Sequence, residues 1–187
     1  MKPRTVLGAA MLALAGSLAA APSPAGDTSH AVVAARQASM KEMAAASRAL
    51  AEMFDGRRAY EPAAFKAAAD TLSTRAGAAL IAEFPSGTLG APSGAKPEIE
   101  QARPEFEALA RHLGRLAGAL DAKAKSAPAG ITADMRMSGL PMDGGSLLGK
   151  RPGAVEADPA KLPAEHLLHL ILQDCSSCHS KFRQKQQ

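Results

Sequence analysis

Two cysteines stand in this chain, and both fall in one five-residue run near its C-terminal end, Cys175-Ser176-Ser177-Cys178-His179. Thiols three positions apart on a helix can each add to one vinyl group of a haem, and the imidazole that follows is then held beneath the porphyrin as proximal iron ligand. Two other chemistries use a Cys-x-x-Cys pair. A thioredoxin-like redox centre expects a βαβ surrounding and leaves the following histidine without a role. A closed structural zinc site wants four ligands, and the chain offers no second cysteine pair. Covalent attachment of one haem c through Cys175 and Cys178, with His179 on the iron, is therefore the expected chemistry.

The N-terminus supplies a compartment. Lys2 and Arg4 precede an unbroken run of apolar and small residues from Val6 to Ala20, and Ala19-Ala20-Ala21 and Ser23-Pro24-Ala25 both offer a small-residue cleavage site. The run is too short for a spanning helix and reads as a secretory signal peptide over residues 1–25. No later stretch is long and apolar enough to cross a bilayer. The remaining domain, residues 26–187, is expected to be exported and periplasmic, where bacteria attach c-type haem.

Losing Lys2 and Arg4 leaves 20 basic against 18 acidic residues. Such a balance excludes a nucleic-acid binder by composition. Aromatic residues make up only 3% of the chain and tryptophan is absent, so small side chains must fill the core and helices must pack closely. A haem would supply the large flat apolar mass that the composition lacks.

The elements that must position the motif read as helices throughout. The first is expected from Thr28 or Ser29, either a fair N-cap, to Phe54, with Val33, Met40, Met43, Ser47, Leu50 and Phe54 spaced along one face. The second is expected from Pro62 to Phe84, with Phe65, Leu72, Ala76, Leu80 and Phe84 as its stripe. A Gly/Pro/Ser-rich loop from Pro85 to Arg103 leads to a third helix from Pro104 to Lys125, with Phe106, Leu109, Leu113, Leu116 and Leu120 inward. A long irregular segment, about residues 126–163, precedes a last helix from Pro163 to about Gln184. The expected fold is all-α, a four-helix bundle around a cofactor.

Three further stretches carry a resemblance. Ala35-Arg36-Gln37, Lys96-Pro97-Glu98-Ile99 and His179-Ser180-Lys181-Phe182-Arg183, together with the haem motif, resemble the cytochrome c′ family of class II c-type cytochromes. The resemblance runs from about Val32 to Arg183, and the segment from about Ile131 to Lys161 has no counterpart in it. Glu100 stands where the family often carries a tryptophan.

The resemblance places Met40, four residues after Arg36, over the distal haem face. It implies that members with leucine or phenylalanine there keep a five-coordinate, high-spin iron open to small gases, whereas methionine gives a low-spin electron carrier. A thioether is a soft ligand that stabilises ferrous iron and fills the site a gas would need. Met40 could equally be a packing residue of an inward helix face. Met43 is a neighbouring sulfur, one turn away and rotated. The resemblance also implies that Arg36 pairs with a haem propionate and that Arg183 screens the proximal side; the alternative for Arg36 is a solvated charge. His166 and His169 share the helix of His179, and His30 is about 15 Å along its helix from Met40, so none is placed to be the sixth ligand. His112 is expected at the surface or between helices.

Met135, Met137 and Met142 form a cluster outside the family pattern. Soft sulfurs suit Cu(I), so a copper-binding loop is one reading and adaptable packing is the other. The expectation is a periplasmic monohaem electron-transfer protein with His179 and Met40 on the iron, not an enzyme, serving redox partner proteins, with no membrane span and with homodimerisation compatible with the chain. The alternatives are a five-coordinate haem protein binding nitric oxide or carbon monoxide, and copper binding through the methionine loop.

Overall fold

The computed structural model describes residues 24–90, 93–137 and 157–184, with side chains from Ser29 onward. Its helices are α1 (Pro24–Phe54), α2 (Pro62–Arg75), α3 (Ala78–Ala82), α4 (Glu98–Gln101), α5 (Arg103–Lys125) and α6 (Ala164–Phe182). Short 3-10 turns occur at Ala133–Met135 and Pro159–Lys161. Among the described residues there is no strand, only one isolated antiparallel bridge between Ala95 and Arg183. Four long helical runs, α1, α2 with α3, α5 and α6, make the bundle. Most of the signal peptide expected over residues 1–25 lies outside the described residues.

The apolar stripes read from the sequence become the core. Leu50, Phe54, Phe65, Leu72, Phe106, Leu116, Leu120, Leu167 and Ile171 are all buried. Phe54 meets Phe65 edge-on at 5.8 Å, and Phe106 meets Phe182 in the same way at 5.7 Å. With so few aromatic rings, the gaps between helices are closed by Ala68, Ala69, Ala110, Ala117 and Ala124, all buried. Small side chains let the axes approach, and close packing contributes dispersion that bulk cannot.

The second expected helix is not continuous. It breaks at Ala76-Gly77, where Gly77 takes a φ of +64° and starts α3. A side chain is disfavoured in that backbone region, and glycine is not. The break sits against α5: a Cβ on Gly114 would lie 2.8 Å from the Gly77 Cα and 3.1 Å from its N. Gly114→Ala should therefore cost about 1–3 kcal/mol of overpacking, more than the ~1 kcal/mol that alanine gains within a helix. Gly118→Ala, with nothing within 4 Å of the added Cβ, should instead be neutral or stabilising. Urea unfolding of the two variants checks this, and equal midpoints would contradict it.

Three smaller differences have local causes. The first helix begins at Pro24, ahead of the caps expected at Thr28 and Ser29, because proline is well placed in a first turn. The loop before α5 contains the single turn α4, and Arg103 Nη1 donates to the Phe84 carbonyl at 2.6 Å, closing the end of α3. The segment after α5 is partly fixed. Arg136 Nη1 donates to Phe54 O at 2.6 Å and lies 3.3 Å from Glu165, while Met137 N donates to Glu165 Oε2 at 2.7 Å. This strap ties the end of α1 to the start of α6. Met135 is packed in the core, as the packing reading of the methionine cluster expects of it. Met137 is exposed, and Met142 lies outside the described residues.

Candidate functional site

α6 presents Cys175, Cys178 and His179 on one side because the three-residue spacing of the thiols returns close to the same helix face. The face opens on a cleft against α1. Two adjoining cavities occupy it, with volumes of about 280 and 690 Å³. Four residues line both: Met40 and Ala44 from α1, and Cys178 and His179 from α6. The smaller cavity is walled by Met43, Leu80, Leu109, Leu113 and Leu172, with Cys175 and Asp174 at its edge. The larger runs past Phe84, Ile99, Phe106 and Phe182 to a polar end at Arg36, Gln37, Lys41, Arg183 and Gln184. These volumes suit a cofactor cleft, and the lining is mainly apolar, as such clefts are.

The electrostatics keep both thiols protonated and suit His179 to metal ligation. Burial, helped by Asp174, raises the Cys175 thiol above its ordinary value, and burial together with Cys175 and Asp174 pushes Cys178 up to about 11. Both thiols are thus protonated and unpaired in this fold at neutral pH. Enclosure in the cleft, and then the Arg183 cation, holds His179 below its ordinary value although its edge reaches solvent. A neutral imidazole keeps a lone pair for iron. His179 is the one imidazole among the described residues lining either cavity. His30 and His169 are exposed, and none of His30, His112, His166 and His169 lines the cleft.

Arg36 is held firmly within the protein. It is 4% exposed, and every hydrogen bond described for it runs to the loop after α3. Nη1 donates to Glu83 O at 3.1 Å and Thr88 Oγ1 at 3.3 Å, and Nη2 to Thr88 O at 2.9 Å and Ser93 Oγ at 2.6 Å. Its guanidinium covers the Phe84 ring at 4.5 Å. It is not a solvated charge: the loop holds it where it lines the polar end of the cleft. Arg183, in contrast, is exposed at the polar end of the cleft, beside His179. Met40 is half-buried against the core, and Met43 is buried deeper beside the smaller cavity.

A pair beside the motif had no signal in the sequence. His112 Nδ1 lies 2.6 Å from Asp174 Oδ2, linking α5 to α6 one residue before Cys175. A histidine on one helix and an acid on another share no local spacing rule, so only the fold brings them together.

Helices that aim two thiols and an imidazole into an apolar cleft define a covalent haem site. The family model described as Cytochrome C' matches residues 31–139, more than half of the chain, and the chain belongs to that family. As a member it binds one covalent haem c, and the two thiols and His179 are the residues that fit it. The attachment motif lies beyond the matched stretch, but the likeness to solved structures extends further. The crystal structure of cytochrome c′ from Thermochromatium tepidum is 24% identical, with 82% of this chain and 95% of that one covered and a TM-score of 0.56. A nitric oxide complex of a cytochrome c prime variant from Alcaligenes xylosoxidans is 20% identical, covering 84% and 97%, with a TM-score of 0.57. A cytochrome c′ described as having an unusual ligand-controlled dimer dissociation gives the same values. No curated protein sequence is matched. Among the described residues no helix is long and apolar enough to cross a membrane.

Proposed function

We propose that this chain is a periplasmic haem c protein that takes a small neutral gas, nitric oxide or carbon monoxide, on the distal side of its cleft. One observation carries the reading: the smaller cavity is lined mainly by apolar side chains, Met40, Met43, Ala44, Leu109 and Leu113 among them, with Ser47, Arg48 and Asp174 as its polar members beside the motif, a surface that favours a neutral ligand over a charged one. Bound in the cleft, haem supplies an iron that exchanges one electron and can take a diatomic ligand. Cys175 and Cys178 would anchor the group and His179 would offer its lone pair to the iron, with burial first and Arg183 second favouring the neutral imidazole. Met40, which lines both cavities, would stand beside a gas bound there. The nitric oxide complex of a structural relative supports the reading, and the relative with ligand-controlled dimer dissociation makes a homodimer its natural companion.

A second reading rests on the position of Met40 itself. Its thioether is the sulfur that lines both cavities beside His179 without belonging to the attachment motif. As a permanent ligand it would make the protein a low-spin carrier of single electrons between redox partners. Visible spectra of both oxidation states, followed by carbon monoxide addition to the ferrous protein, separate the two. A high-spin spectrum with rapid uptake is expected. A low-spin ferrous spectrum with slow uptake would overturn the gas-binding reading and establish the carrier.

A further inference from the structure

The wall of the larger cavity is held by two parallel routes that both start at Arg36. The first is polar. Arg36 Nη2 donates to Ser93 Oγ at 2.6 Å, and the same oxygen accepts from Ala95 N at 3.1 Å. Ala95 pairs with Arg183 in the one antiparallel bridge, where Lys96 N donates to Phe182 O and Gln184 N to Gly94 O, both at 2.9 Å. Arg183 N in turn donates to His179 O at 3.1 Å. The second route is aromatic. The Arg36 guanidinium lies 4.5 Å from the Phe84 ring centre, Phe84 lies 4.9 Å from Phe106, and Phe106 lies 5.7 Å from Phe182. Both routes leave α1 one helical turn before Met40 and end on α6 just past His179.

We propose that Arg36 is a positioning residue that sets the spacing between α1 and α6, and so between Met40 and His179, through Ser93 and the Ala95–Arg183 bridge. The inference deepens the haem-cleft reading and rests on it. A guanidinium suits the task because its planar fork makes several directed bonds at once while its face stacks on a ring. An ammonium cannot do both. Ser93 is buried, so its hydroxyl serves the arginine and the loop rather than solvent.

The test uses the full-length, haem-loaded protein. Ser93→Ala removes the link without altering any charge, and Arg36→Lys keeps the charge but removes the fork. Both are expected to accelerate carbon monoxide association with the ferrous protein several-fold. They should also speed amide exchange at Lys96 and Gln184, a readout that does not depend on what the haem does. Thr88→Ala, at the outer contact of Arg36, is expected to do the same more weakly and serves if Ser93→Ala fails to fold. If Arg36 acted only as a charge facing the cofactor, Arg36→Lys and Ser93→Ala would both behave as wild type, and the proposal would be overturned. An Arg36→Lys effect without any effect of the serine or threonine variant would overturn it equally. Exchange that quickens while gas association stays constant would keep the strut but remove its control of the cleft, which also sinks the proposal as stated. A protein that binds no carbon monoxide at all but exchanges faster at both amides would fault the gas reading instead.

Discussion

Protein stripped of haem, or made as the Cys175→Ala/Cys178→Ala double variant, is expected to melt far below the holo-protein. The cleft between α1 and α6 is walled in part by Met40, Leu109 and Leu172, which stay partly exposed in this structure and which a bound cofactor would cover. Re-exposing a leucine- or phenylalanine-sized side chain costs roughly 1.5–3 kcal/mol. Two or three of them, at about 2–4 °C per kcal/mol for a chain of this size, place the loss on the order of 10–20 °C. A group bound only by the folded state adds its own binding energy to that difference. The comparison is a thermal melt by far-ultraviolet circular dichroism, with haem retention after acid-organic extraction as the chemical control. The double variant should surrender its haem to the organic phase, and the wild type should not. Equal melting points would show that the cleft stays closed and dry when empty, contrary to its shape here.

Met40→Ala is expected to give the second large effect. The side chain is half-buried and borders both cavities, so its removal widens the distal side where a gas enters. Carbon monoxide association should rise by an order of magnitude or so, since each ~1.4 kcal/mol taken from a barrier is tenfold in rate. The stability cost should fall at or below the lower end of the roughly 2–5 kcal/mol seen for buried methionine truncations, because Met40 is not fully enclosed. The ferrous spectrum should stay high-spin. A change from low to high spin on substitution would instead identify the thioether as an iron ligand. Met43→Ala is the control: that sulfur is buried in the core, so its loss should cost stability with little change in ligand entry.

What the sequence made legible was whatever is encoded locally. Cys175, Cys178 and His179 announce their chemistry through spacing alone. Phe65, Leu72, Phe106, Leu116, Leu120 and Leu167 announce the core through helical period. The break at Gly77 was hidden because a single glycine inside an apolar stripe is usually tolerated, and its reason, the backbone of Gly114, belongs to another helix. The partners of Arg36 were hidden for the same cause. Its partner Ser93 is 57 positions away in a loop with no periodicity, and only folding brings that loop over α1. Asp174 and His112 are a third case, joined across 62 positions. Local pattern finds helices and attachment points, while the contacts that set distances between helices are long-range and leave no such trace.

The Gly77–Gly114 crossing has a consequence for how such a bundle can diversify. Backbone touches backbone there, so no choice of side chain can adjust the fit. The α1–α6 cleft is bounded instead by methionine, leucine, alanine and phenylalanine side chains, each replaceable by one of different length. Substitution can therefore resize the chamber for a bulkier or smaller occupant while the crossing holds the pitch of the helices fixed. Variation at positions 40, 44 and 109 should tune ligand preference at modest cost, whereas variation at 77 or 114 reshapes the scaffold itself.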